Sequence, residues 1–192
     1  MEWLIPIQTF QVDKVQLGTL IETLKPMIHL AYKDGENHFP SLSLMFPLLP
    51  IKTYEPATGR LVLSLSDYPA ILTKMTNFQE SLVSTVSLNH TQWFSSQKGD
   101  VKIANPRAGF QSMIRGSEIH LYCPVNLEIQ QSVPFYSEGA WSKQGIVKEK
   151  LEPGKSIRIA IRIQGISFHI HPVYGTWSGK YRIQHKILGI LV

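Results

Sequence analysis

The stretch Ser156-Ile157-Arg158-Ile159-Ala160-Ile161-Arg162-Ile163-Gln164-Gly165-Ile166-Ser167-Phe168-His169-Ile170 decides the fold. Side chains of an extended strand alternate between its two faces, so Ile157, Ile159, Ile161 and Ile163 share one side while Arg158, Ala160 and Arg162 share the other. At Gly165 the parity switches: Ile166, Phe168 and Ile170 become the apolar set, and Ser167, His169 and His171 the polar one. A change of phase at a glycine predicts a bulge or tight turn, which bends a strand as barrels and strongly coiled sheets require. A second segment repeats the pattern, with Lys180, Arg182, Gln184 and Lys186 opposite Tyr181, Ile183 and Ile187. Two strands of this kind in one sheet would present a single cationic face.

Working outward, strands are expected at 118–122, 125–129, 157–163, 166–170 and 181–191. Leu42 and Leu44 alternate within 39–46, and Leu61, Leu63 and Leu65 follow the turn at 55–59. Lys33 to Asn37 reads as a further turn. The clearest helix spans 66–87: Pro69 sits in its first turn, and Ile71, Leu72, Met75, Phe78, Leu82, Val83 and Val86 recur near a period of 3.6. A shorter helix is read at 13–24, from Asp13 as cap to Lys25-Pro26 as stop. The polar segments 95–100 and 137–154 are read as loops, the longer one as a mobile hairpin tip. The expected fold class is α+β, mainly β: a curved antiparallel sheet or OB-like barrel with one main helix, built as a single domain over residues 1–192.

Composition narrows the function. With 192 residues, 43% hydrophobic and 17% charged, the chain suits a globular protein and excludes a wholly disordered one. The net charge of +5 is unevenly placed: residues 97–192 hold thirteen Lys and Arg against six Asp and Glu, residues 1–96 six against eight. No acid follows Glu152, while Lys155, Arg158, Arg162, Lys180, Arg182 and Lys186 do. A solvated face normally mixes both signs, so a one-sign face suggests a polyanion partner, whose phosphates dominate affinity through counterion release.

Aromatic residues are interleaved with these charges: Trp93-Phe94, Phe110 beside Arg107 and Arg115, Trp141 beside Lys143, and Tyr174 and Trp177 leading into Lys180. Single-strand binders combine a basic groove with aromatic platforms for bases. Trp141 and Trp177, in Ser/Gly-rich surroundings, read as exposed stackers, whereas Trp93 and Phe94 close a helical region and read as core. His169 and His171 extend the polar face toward phosphates or bases. As metal ligands they would need His185 or His120 as a third, with no Cys or carboxylate nearby, so neither a metal nor a cofactor is expected. The sequence has no G-x-S-x-G, no Walker lysine loop, no H-E-x-x-H and no acidic cluster suited to two-metal chemistry, and no enzyme is expected. A lone Cys123 and the absence of a basic, apolar leader point to a reducing, intracellular setting. The longest apolar run, 44–51, is broken by Pro47 and Pro50 and falls short of a membrane span.

The run Phe39-Pro40-Ser41-Leu42-Ser43-Leu44-Met45-Phe46-Pro47, the strand Leu61 to Leu65, the helix ending Asn89-His90-Thr91-Gln92-Trp93-Phe94, and the closing segments Ile157 to Ile170 and Gly179 to Val192 together resemble the single-stranded-DNA-binding proteins of nucleocytoplasmic large DNA viruses. The resemblance covers most of the chain as an order of strands, one helix and a terminal aromatic-basic hairpin, with no fixed signature. It implies a barrel that coats exposed strands during viral DNA replication, in the host cytoplasm or nucleus, without sequence preference. The residues matching the basic terminal strands are Arg158, Arg162, Lys180, Arg182 and Lys186, with Trp177 and Tyr181 near them.

The nucleic-acid-binding set expected from the sequence is therefore Arg107, Arg115, Trp141, Lys143, Arg158, Arg162, His169, His171, Tyr174, Trp177, Lys180, Arg182 and Lys186. The expected partner is single-stranded DNA, with RNA and self-association left open and no membrane. The alternative is a structural or assembly protein, such as a minor virion component, that docks other subunits through a sheet edge near Met45 to Pro50.

Overall fold

The computed structural model describes residues 3–97, 103–124, 135–137, 139–142 and 148–192. In chain order the strands are β1 (Ile5–Pro6), β2 (Val15–Ile21), β3 (Met27–Asp34), β4 (Asn37–Phe39), β5 (Leu42–Met45), β6 (Leu49–Glu55) and β7 (Arg60–Ser64). Helix α1 (Pro69–Trp93) follows, then β8 (Phe110–Gln111), β9 (Ile114–Arg115), β10 (Glu118–Tyr122), β11 (Phe135–Ser137), β12 (Ala140–Ser142), β13 (Ser156–Ile170) and β14 (Trp177–Leu191). The fold is α+β, mainly β, with one main helix and a curved sheet that does not close into a barrel. The sheet is mixed, because β1 joins β5, and β8 and β11 join β14, in parallel.

Strands β13 and β14 are fifteen residues each and pair antiparallel from Arg158↔Leu191 to Ile170↔Trp177. Their isoleucines explain the pairing: Ile159 meets Ile190, Ile161 meets Ile187, and Ile166 meets Ile183, all on the core side. The opposite edge of β13 is used three times along its length. Residues 156–157 bond β6, 160–163 bond β5 and 165–167 bond β3. The predicted break at Gly165 is a register shift inside one continuous strand, and Gly is required there because a Cβ would lie 2.1 Å from the carbonyl oxygen of Ile28 on β3.

Around this spine, β3 carries β2 and β4, and an antiparallel run β6, β7, β10, β9 extends from the other end. Helix α1 buries Ile71, Met75, Phe78, Leu82, Val83 and Val86 against the sheet's core side. Phe78 meets Phe10 edge-on at 5.6 Å. The helix runs beyond the expected residue 87 because His90 and Trp93 continue the same side, with Trp93 set edge-on to Phe168 and His90 against Trp177.

Two sequence readings are corrected. Residues 13–24 hold no α-helix; after a single 3-10 turn at Val12–Lys14 they form β2. Val15 and Leu17 pair with Tyr32 and Leu30, then a register shift absorbs Gly18 and Thr19 before Leu20 and Ile21 resume with Ile28 and Met27. That bulge spaces the apolar residues so that they imitate a helical period. The stretch 137–154, read as a loop, contains β12, paired with β11, and a 3-10 turn at Lys148–Leu151 whose Leu151 is buried. The strand expected at 125–129 lies outside the described residues.

Because β3 crosses β13 at backbone contact distance, Gly165→Ala should destabilise the protein severely, by several kcal/mol, since overpacking forces backbone shifts. Gly18→Ala should cost far less, because its Cβ would stand 3.4 Å from the His29 carbonyl oxygen, an ordinary contact. Urea unfolding midpoints of the two variants check the difference.

Candidate nucleic-acid interface

The alternation that buries the isoleucines of β13 sends its arginines to the other side of the sheet. Laterally paired residues share a face, so Arg162 and its partner Lys186 point the same way, and so do Ser167 and Arg182. On β14 the alternation runs unbroken through Lys180, Arg182, Gln184 and Lys186, with Tyr181, Ile183, the half-buried His185 and Ile187 on the opposite, core side. Arg158 joins this side at one end and His169, bonded through Nδ1 to the Ser178 hydroxyl at 2.8 Å, at the other. Arg158, His169, Lys180, Arg182 and Lys186 are exposed, whereas Arg162 is half-buried. Among the described residues no carboxylate forms an ion pair with Arg158, Lys180, Arg182 or Lys186.

At the Arg158 end the register extends to aromatic residues. Leu191 faces Arg158 on one edge and Tyr136 of β11 on the other, and Tyr136 faces Trp141 of β12. Trp141, Tyr136, Leu191 and Arg158 therefore stand in one row on the cationic side. The Trp141 and Tyr136 rings meet edge-on at 5.5 Å, and Trp141 is 56% exposed. Tyr136 had no signal in the sequence, because it falls in a segment without periodicity.

At the far end, the β13–β14 connection carries Tyr174, 74% exposed, with its ring 4.5 Å from that of His171. His171 is fixed by the turn itself: its Nδ1 accepts the backbone N–H groups of Val173 and Tyr174. That leaves the proton of the neutral ring on Nε2.

Other expected members lie elsewhere. Trp177 is core, not an exposed stacker: it is 3% exposed, its ring stacks on Phe94 at 4.9 Å, and its indole N–H donates to the Lys180 carbonyl. Its core role follows from position, since it opens β14 on the side that meets the end of α1. Tyr181 is likewise buried, and burial pushes its hydroxyl up to about 12. Arg107 is held on α1, its Nη1 2.6 Å from Glu80 Oε1 and its Nη2 donating to the Ser84 hydroxyl. The Arg107 guanidinium in turn holds the Glu80 carboxyl below its usual range. Arg107 is thus neutralised by an acid of the first half of the chain.

Arg115 sits at the other extremity of the sheet, opposite Glu118, in a group with Arg60 and His120. Lys143 lies outside the described residues. The segment Met45 to Pro50 is not a free docking edge, because Met45 pairs with Pro6 and Ala160 and Leu49 with Ile157.

The histidines do not form a metal site among the described residues. His120 Nδ1 accepts from Arg60 Nη2 at 3.0 Å, and burial with the charges of Arg115 and Arg60 lowers its pKa. His185 faces the core side, where its Nε2 accepts the backbone N–H of Tyr122 at 2.9 Å. This bond ties β14 to β10 across a gap that no strand pairing of the described residues closes. Burial, then the neighbouring Arg182, pushes His185 down to about 4, against a backbone hydrogen bond at Ile183. Cys123, fully buried with its thiol pushed up to about 12, has neither the exposure nor the thiolate character of a nucleophile.

No helix of the described residues is long and apolar enough to cross a membrane. Compared with protein-family models, curated proteins and solved structures, the chain matches none. The viral resemblance therefore rests on the pattern of residues alone.

His185 gives a pH signature. Its folded pKa, about 4, lies below the ordinary 6.5, so the unfolded state binds more protons between these values. Stability is full above about 6.5 and declines as pH falls toward about 4, by on the order of 3 kcal/mol from this residue. His120 adds to the slope in the same direction. Denaturation midpoints measured from pH 7 to 4 should fall, and His185→Gln should flatten the curve.

Proposed function

We propose that this protein binds single-stranded nucleic acid, DNA in the first place, through the outward side of the β13–β14 hairpin. Backbone phosphates are neutralised by Arg158, Lys180, Arg182 and Lys186, with Arg162 beside them, and bases stack on exposed aromatic rings. Such contacts carry no sequence information, so binding is sequence-independent. The observation that carries the reading is the register of β13 against β14, which aligns these cations on one side, where among the described residues no carboxylate pairs with Arg158, Lys180, Arg182 or Lys186. Exposed strands during viral genome replication, the setting that the family resemblance implies, would suit this chemistry.

A duplex is a poorer fit, because its bases are already stacked on each other and offer the aromatic rings no free faces. The chemistry uses no metal and no cofactor, since charge neutralisation and stacking require neither.

Anisotropy titrations with oligo-dT should show a log–log salt slope of about −3 if four phosphates are neutralised, that is, roughly a hundredfold loss between 50 and 300 mM salt. Arg158→Glu with Arg182→Glu, both at exposed positions, should weaken binding at least tenfold and shrink the slope by about 1.4. A correctly folded double variant that binds undiminished, or a flat salt response, would reject the reading.

A further inference from the structure

The cationic side of the hairpin is not uniform along its length. Its middle is recessed: Ala160 and Ser43, which share that side with Arg162, are 4% and 0% exposed, and Arg162 is half-buried. Each of its two ends carries an exposed aromatic ring set against a half-buried one. At one end Trp141 meets Tyr136 beside Arg158; at the other Tyr174 lies over His171 beyond Lys180. The core does not take up the two outer rings, since Trp141 is 56% and Tyr174 74% exposed, and a large aromatic ring left in water is available for a partner's flat face.

We infer that the strand-binding site is bipartite: two base-stacking platforms, Trp141/Tyr136 and Tyr174/His171, sit at opposite ends of the hairpin and are bridged by its cations. This rests on the function proposed above and adds to it a minimum length of ligand. From the Arg158 row to His171 the chain advances thirteen positions, at most about 44 Å at the rise of a β-strand. A strand stacked at ~3.4 Å per nucleotide needs about 13 nucleotides to touch both platforms, and an extended one fewer, within the usual span of roughly 4 to 16.

A ligand long enough to reach both ends gains the second contact intramolecularly, at an effective concentration near the millimolar range, so affinity should step upward with length instead of rising smoothly. The two classes of ligand also respond differently to loss of one platform. A short strand uses whichever platform remains, whereas a long one loses the bridged mode.

The test is fluorescence anisotropy of the full chain with oligo-dT of about 5 and about 15 nucleotides, for the wild type, Trp141→Ala and Tyr174→Ala, both exposed positions whose truncation leaves the core intact. Either substitution is expected to weaken the longer strand at least thirtyfold and the shorter one by no more than about twofold, the loss of one of two equivalent sites. If a substitution weakens both lengths alike, or leaves the longer strand unaffected, the bipartite site is overturned while strand binding stands. If the wild type binds neither length, the proposed function falls together with it.

Discussion

One strand holds this protein together. Along its fifteen residues β13 exchanges backbone hydrogen bonds with β14 on one edge and, in succession, with β6, β5 and β3 on the other. Strands from the N-terminal third of the chain are thereby attached to a single backbone. The arrangement needs a residue without a side chain where β3 comes closest, and Gly165 supplies it. The same register shift at Gly165 carries the strand from one partner to the next and gives the sheet its curvature.

That constraint also fixes the chemistry of the outer surface. Ile157, Ile159, Ile161 and Ile163 are each fully buried, so the residues between them have no freedom to choose a side. Arg158 and Arg162 face outward because the isoleucines face inward, and Lys186 and Arg182 follow from their register. Like charges directly opposite each other, as Arg162 and Lys186 are, oppose strand pairing. The isoleucine pairs on the core side offset that cost.

Much of this was legible in the sequence wherever a strand kept a strict period of two with one apolar side. The alternation in β13 and β14, the phase change at Gly165, the turns at Gly35 and Gly59, with their positive φ of 59° and 72°, and the presence of α1 with Pro69 in its first turn were all readable from the residues, although the helix begins at Pro69 and not at 66. The reading failed where irregular pairing disturbed the period. In β2 the bulge at Gly18 and Thr19 mimicked helical spacing, and in β6 the alternation of Leu49 and Ile51 ends at a register shift before Thr53, whereas β3 was missed although Ile28, Leu30 and Tyr32 alternate with His29, Ala31 and Lys33. At the site, charge was predictable and aromatic exposure was not. Trp177 lies in a Ser/Gly-rich stretch yet is buried, because burial there depends on where α1 ends, seven dozen residues earlier in the chain. The Tyr136 partner of Trp141 and the His185 bond to Tyr122 depend in the same way on contacts between distant segments.

The position of β13 in the chain has a consequence for biogenesis. A ribosome delivers β1 to β7 and α1 long before the strand to which β3, β5 and β6 attach: His29 waits for Gly165, and Leu44 for Ile161. Until then Leu42, Leu44, Leu49 and Ile28, all destined for the interior, have no lasting place to go, and the edges of their strands are open to pairing with other nascent copies. Such long-range pairing is intrinsically slow, so productive synthesis should lean on holdase chaperones and suffer when translation crowds many unfinished chains together.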